Sequence, residues 1–208
     1  MQIYDISMTI SEDMAVYKNK AEKRPRLTVT RDFSSGNIRE SSLSLDMHCG
    51  THLDAPLHVL AGGSTIDRQD LTKLAGVRCQ VLDLTHLNEK MAAADLALHA
   101  IAAGSFVLCK TKNSLSEGFD PDFVYLAAEG AAYLRDQNIS GFGLDALGIE
   151  RGHPDHPAHT ILLGHGISVL EGLRLKDVPA GQYLLFALPL KVAGAEASPT
   201  RAILVQDR

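Results

Sequence analysis

The sequence predicts a mixed α/β domain richer in strand than in helix. Three observations carry that expectation. Apolar runs at residues 78–84, 105–110, 183–188 and 202–205 have the length and composition of strands, and the first two are continuous enough to be buried on both faces. A strand, a helical stretch and a second strand follow one another over residues 105–145, the order of a βαβ unit. From residue 45 to residue 59, polar and apolar side chains alternate with a period of two.

Taken in order, residues 3–10 alternate loosely enough for a strand and residues 18–26 are polar loop. Residues 27–31 and 42–47 read as two further strands, the second delivering His48. Ala61-Gly62-Gly63-Ser64 is a turn and residues 70–74 a short helical turn. The alanine-rich stretch 90–103 predicts a helix between the two central apolar strands. Residues 113–121 are rich in turn formers, residues 129–137 predict a helix, and the glycine-punctuated stretch 140–145 predicts a strand ending at Asp145. Gly152, Pro154 and Pro157 make residues 151–157 a loop, after which Pro157 suits the first turn of a helix. Residues 167–171 form a short apolar strand ending in the carboxylate of Glu171. No internal repeat is present.

At 208 residues, 45% hydrophobic and 22% charged, the chain is long enough for a sizeable core and reads as one domain spanning residues 1–208. Its net charge of −5 argues against nucleic acid, because the one basic segment, Lys18-Asn19-Lys20-Ala21-Glu22-Lys23-Arg24, is short and interrupted. Cys49, Cys79 and Cys109 make no C-x-x-C pair, so neither a disulfide framework nor a thiolate metal site is expected. The first residues show no basic segment followed by an apolar core, and no apolar run reaches the roughly eighteen residues of a membrane span. A cytoplasmic setting, with no membrane partner, is the expectation.

The stretch that carries chemistry is Leu45-Asp46-Met47-His48-Cys49-Gly50-Thr51-His52-Leu53-Asp54-Ala55-Pro56-Leu57-His58. His48, His52, Asp54 and His58 all fall on even positions, and Leu45, Met47, Leu53, Leu57 and Val59 on odd ones. In an extended chain the four ionisable side chains project together while the odd residues face a core. A helical reading is weakened by Gly50 between the first two histidines and by Pro56 close behind. The strand must nevertheless bend. Four residues of ideal strand span roughly 13 Å, too far for two imidazoles that each approach one ion at about 2.0–2.1 Å. Gly50 is the place for the bend. The resulting nitrogen and oxygen ligand set suits zinc, manganese or iron(II). Cys49 has the opposite parity. Of the remaining histidines, His86 and His99 are isolated, whereas His153, His156, His159 and His165 cluster, and spacing alone does not choose among them.

The run from His48 to His58 resembles the H-x-G-T-H-x-D-x-P-x-H signature of the cyclase family of metal-dependent hydrolases, which includes bacterial kynurenine formamidases and isatin hydrolases. The likeness extends to the opening Ile3-Tyr4-Asp5-Ile6-Ser7, to Gly143-Leu144-Asp145-Ala146-Leu147, to His159 with Glu171 twelve residues on, and to the ending from Ala187 to Ala202. The resemblance implies a swivelling β/β/α fold and a homodimer or homotetramer acting on a small molecule. It implies that His48, His52 and Asp54 hold one divalent ion, zinc or manganese. Asp54 then bridges to a second ion held by His159 and Glu171, and His58 serves as general acid and base. The implied reaction is cleavage of a C–N amide bond by a metal-activated hydroxide, in an aryl formamide such as N-formylkynurenine.

One departure bears on the substrate. Formamidases carry a tryptophan in a W-P-G-D-like segment near the N-terminus, but here the corresponding residues are Met14-Ala15-Val16-Tyr17-Lys18-Asn19-Lys20 and the chain has no tryptophan. Tyr17 is the aromatic residue in its place. Two other readings stand beside the formamidase one: an isatin-hydrolase-like or polyketide-cyclase-like enzyme, and a metal-binding protein without turnover. The presence of His58 argues against the last, since storage needs ligands but no extra acid or base.

Overall fold

The computed structural model describes residues 1–206. In chain order the strands are β1 (Gln2–Asp5), β2 (Arg26–Arg31), β3 (Glu40–Ser44), β4 (His52–Asp54), β5 (Ala75–Asp83), β6 (Lys90–Met91), β7 (Phe106–Lys110), β8 (Tyr125–Leu126), β9 (Gly141–Leu144), β10 (Ser168–Glu171), β11 (Gly181–Pro189) and β12 (Ala197–Gln206). The helices are α1 (Ala93–Leu96), α2 (Ala128–Asp136) and α3 (Pro157–Gly164).

Eight strands form one sheet in the order β1-β12-β11-β5-β7-β9-β10-β4. Because β4 also pairs with β12, seven of them close into a barrel with β1 attached outside the ring. The length of β12 allows this: Ala197–Pro199 lie opposite β4, and Ile203–Gln206 lie opposite β1 along the same edge. Closure leaves few sheet edges exposed.

Strands β5, β7, β9 and β10 run parallel, and α2 makes the crossover from β7 to β9 that the strand, helix, strand order predicts. Alternation along β7 shows why these runs are apolar throughout. Phe106 and Leu108 point to the barrel interior with Leu53, Leu170 and Leu185, whereas Val107 and Cys109 pack outside with Phe142, Leu134 and Leu162 under α2 and α3.

The sequence expectations need adjusting in five places. The strand expected over residues 3–10 is confined to β1, and that over 42–47 ends before His48. The strand expected over 202–205 lengthens into β12 because it pairs along three neighbours. The alanine-rich helix over 90–103 shrinks to α1. Lys90 and Met91 are captured by pairing with Tyr125 and Leu126, and the Ala92 N–H turns back to Asp95 Oδ2 at 2.8 Å. Only Leu96 of α1 is buried, so little packing supports further turns. The polar segment 18–26 contains two short 3-10 turns, Tyr17–Asn19 and Ala21–Lys23.

Strand β4 is three residues long and buried throughout. It sits between β10 and β12, with His52 opposite both Glu171 and Pro199. The chain enters it through Gly50, whose φ of +63° is left-handed. Gly172, with φ +67°, leaves β10 beside that bend, and a Cβ placed there would lie 2.3 Å from the Gly50 oxygen and 2.7 Å from its carbonyl carbon. Neither backbone can move aside cheaply. Gly172→Ala is therefore expected to cost about 2–4 kcal/mol of stability in urea unfolding, combining left-handed strain with a backbone clash. A loss below about 1 kcal/mol would mean that the two turns are not wedged together.

Candidate metal centre

Each candidate ligand is positioned by local geometry. His48 lies in a turn whose backbone N–H donates to Asp46 Oδ1 at 2.9 Å, and Lys23 holds that carboxylate from the other side at 3.2 Å. His52 and Asp54 share one face of β4 while Leu53 enters the barrel core. His58 ends the 3-10 turn Pro56–His58. The period-two reading thus holds across β4 and fails on both flanks. Two turns, not one extended strand, fold His48 and His58 back onto the same point, with their ring centroids 4.3 Å apart. His159 comes from the first turn of α3 and Glu171 from the end of β10.

These six side chains meet in one cluster. Asp54 Oδ1 lies 3.1 Å from His48 Nδ1 and 3.6 Å from His52 Nε2, while Oδ2 lies 3.6 Å from His159 Nε2. Glu171 spans the other side, with Oε2 3.2 Å from His52 Nε2 and Oε1 3.1 Å from His159 Nε2. His58 stands between His48 and His159, its ring centroid 5.4 Å from that of His159. One donor atom each from His48, Asp54 and His58 falls within 4.8 Å of the others, and so does one each from His52, Asp54 and Glu171.

The buried polar atoms indicate what this cluster is built to hold. His52 Nε2 and both oxygens of Asp54 are shielded from solvent yet make no aligned hydrogen bond, despite their short separations. Such atoms are costly unless a further partner satisfies them. Their tautomers are fixed from outside the cluster. His52 Nδ1 lies 2.8 Å from the Gly50 carbonyl, which can only accept, so the hydrogen is on Nδ1 and the neutral ring turns the Nε2 lone pair inward. Glu150 Oε1 does the same for His159, 2.6 Å from its Nδ1. A carboxylate or carbonyl behind each imidazole is the usual support of a metal ligand. The donor set of imidazole and carboxylate fits a divalent cation such as zinc or manganese.

The electrostatics agree. Burial works against ionisation of Asp54, but the adjoining imidazoles of His159 and His48 outweigh it and hold the carboxyl well below its ordinary range. Burial and the nearby Asp54 charge push Glu171 up, and His159 and His52 overcome both to keep it ionised. Burial would lower His52, yet Glu171 and Asp54 lift it to about 9. His159 is likewise raised well above normal, against burial, by Asp54, Glu150 and Glu171. A field that favours positive charge on two buried imidazoles favours a cation among them. His58 differs: burial, then the charges on His48 and His159, outweigh the pull of Asp54 and lower its pKa, so its imidazole is neutral at neutral pH.

Sequence reasoning missed Glu150 and Glu196. Glu150 is buried and also accepts the Ala158 N–H at 2.9 Å, tying it to the start of α3. Glu196 Oε1 lies 3.4 Å from His48 Nε2. Neither stands in a recognisable spacing, and only the packing brings them in. Cys49 turns away, its Sγ 3.5 Å from Met14 Sδ. His165 is exposed, with Nδ1 2.8 Å from the Ile161 oxygen at the end of α3. Asp145 is buried but fully engaged by Thr111 and Ser114. Glu150→Gln, which keeps the shape and removes the charge behind His159, is expected to weaken metal affinity about 10- to 100-fold in chelator competition. Unchanged affinity would show that Glu150 braces only the loop.

Comparison with known proteins places this geometry. The Cyclase family model matches residues 4–151. A kynurenine formamidase of Salinibacter ruber (strain DSM 13855 / M31) is 35% identical over 207 residues, covering 98% of this chain and 97% of that one. A solved structure described as a potential metal-dependent hydrolase with cyclase activity superposes with a TM-score of 0.91 at 44% identity, over 100% of this chain and 99% of that one. Isatin hydrolase A from Labrenzia aggregata, solved with benzyl benzoate, superposes with a TM-score of 0.85 at 25% identity over 99% and 94% of the two chains. On the strength of the matched family model and the full-length relatives, the chain belongs to the cyclase family of metal-dependent hydrolases.

Proposed function

We propose that this protein is a metal-dependent amidohydrolase that cleaves the C–N bond of an aryl formamide, in the manner of the kynurenine formamidases it is similar to. The observation that carries the reading is Asp54, whose two buried, unpaired oxygens face imidazoles on opposite sides. In this reading His48, His52 and Asp54 hold one ion, and Asp54, His159 and Glu171 a second, with zinc and manganese equally suited to the donors. Bound there, a divalent ion supplies a Lewis acid for the carbonyl oxygen and an acidified water.

The chain's own residues do the rest. His58, neutral and half-buried beside the cluster, takes a proton from the attacking water and returns it to the leaving nitrogen. Water is thereby added across the C–N bond, giving a carboxylic acid and an amine. Tyr17 lines the same cavity, of about 250 Å³, and offers its ring to a planar substrate. The whole chain works as one domain, since the first and last strands pair in one sheet. A cytoplasmic setting is supported by three free cysteines, and no helix among the described residues is long and apolar enough to cross a membrane. Assembly as a homodimer or homotetramer belongs to the same proposal and rests on the family likeness alone.

A second reading, ring opening of a cyclic amide, is favoured by the likeness to isatin hydrolase A. Zinc- or manganese-loaded protein assayed on N-formylkynurenine, isatin and simple aryl esters separates the two. Turnover of the formamide is the expected result, and preference for isatin would select the second. No hydrolysis with either metal would leave neither standing.

A further inference from the structure

The histidines around Asp54 do not all present the same nitrogen to it. His52 and His159 turn Nε2 towards Asp54 and keep Nδ1 for a backing acceptor, the Gly50 carbonyl at 2.8 Å and Glu150 Oε1 at 2.6 Å. His48 is the reverse. Its Nδ1 lies 3.1 Å from Asp54 Oδ1, and its Nε2 lies 3.4 Å from Glu196 Oε1 on the other side of the ring.

The two nitrogens of one imidazole point apart and cannot both face one ion, and the convergence of donors decides between them. Asp54 Oδ1 is shared by His48 Nδ1 and His52 Nε2, and it is buried without an aligned hydrogen bond. On the Nε2 side stands only Glu196, and among the described residues no group of three donor atoms close enough to hold an ion includes it. An ion held by His48, His52 and Asp54 therefore meets Nδ1 of His48, and the neutral ring carries its hydrogen on Nε2, towards the Glu196 carboxylate.

Glu196 is held in place for this contact. Its backbone carbonyl accepts the Ala55 N–H at 2.8 Å, one residue after Asp54, and Ala197 is the register partner of Asp54 where β12 begins. The Ala195 carbonyl accepts the Ile66 N–H at 2.8 Å, and the Gly194 N–H donates to Asp67 Oδ1 at 3.1 Å. The main chain is thus tied down on both sides of a side chain that is itself 41% exposed. The His48 ring lies against His58, with centroids 4.3 Å apart, which fixes its plane but not its edge. A half-turn of the ring keeps that plane and puts carbon atoms against both carboxylates, so Glu196 adds to the preference of Asp54 for one orientation.

We propose that Glu196 is the positioning residue of the first ion: it holds the Nε2 hydrogen of His48, so that this histidine binds through Nδ1 while His52 and His159 bind through Nε2. The inference rests on the metal-hydrolase reading and adds the outer support of its first ion. A carboxylate or carbonyl behind a ligating imidazole contributes about 10- to 100-fold in affinity. The contact at Glu196 is longer than the other two and half in solvent, so its share falls at the lower end.

The test reads the metal and not the turnover. In zinc-loaded protein, NMR of the histidine side-chain nitrogens is expected to show His48 with a hydrogen on Nε2 and a bound Nδ1, and His52 and His159 the other way round. In Glu196→Ala, chelator competition should find one ion weakened about 10-fold and the other unchanged, with the circular dichroism of the wild type. The weakened ion is identified by loss of the zinc-bound signals of His48 and His52 while His159 keeps its own. Glu196→Gln, which retains an acceptor without the charge, should keep the Nδ1 attachment and recover part of the affinity. His48 bound through Nε2, equal weakening of both ions, or undiminished affinity in Glu196→Ala overturns the proposal. Two bound ions without hydrolysis of any substrate would end the hydrolase reading and leave Glu196 in its role, whereas a wild type that binds no zinc overturns both.

Discussion

Asp54→Asn is expected to leave a folded protein that holds little metal and turns over almost no substrate. The substitution keeps the shape of a side chain that is buried and makes no aligned hydrogen bond, so packing loses nothing. What disappears is the negative charge shared between His48 and His52 on one oxygen and His159 on the other. Removing one partner from a buried charge network costs about 3–5 kcal/mol, which corresponds to roughly 10²- to 10⁴-fold in metal affinity. Elemental analysis after dialysis gives the metal content, and circular dichroism confirms the fold. Retention of two ions per chain would remove Asp54 from the bridging position.

His58→Ala is expected to separate chemistry from binding. The imidazole lies beside the cluster, on a different turn from β4, and burial lowers its pKa. Its loss should leave metal content unchanged and lower kcat about 10²- to 10⁴-fold, the usual contribution of a positioned acid and base. The sign of the pH dependence follows. A base is active when deprotonated, and burial together with the His48 and His159 charges favours the neutral form. The acid limb of the wild-type profile should therefore fall below the ordinary histidine value of about 6.5, and His58→Ala should flatten it. His58 also lies close enough to His48 and Asp54 to be a ligand itself. A variant that loses metal along with activity would assign it that role instead.

How much of this was legible beforehand differs from residue to residue. The alternation around His52 and Asp54 is a property of one extended segment, and it appears in β4 as read. Gly50 as the bend was legible too, because no other residue in the stretch adopts its left-handed φ of +63° without strain. The alanine-rich stretch after residue 90 misled, because helix propensity is worth little against pairing of Lys90 and Met91 with Tyr125 and Leu126. His159 and Glu171 came from family likeness, not from spacing, which left four clustered histidines equivalent. Glu150 carried no mark in the sequence, since its role depends on where α3 begins.

The sequence by itself determined the kinds of ligand, the shared face of His52 and Asp54, and the apolar runs that become the barrel. Tertiary structure alone decided that β10 would run antiparallel to β4 and set Glu171 across from His52. It alone turned α3 so that His159 faces Asp54, and set Glu150 behind it. The physical reason is range. Side-chain periodicity is fixed by the backbone geometry of a few neighbouring residues. The choice of which strand lies beside which, in contrast, balances loop closure against burial shared by segments more than a hundred residues apart.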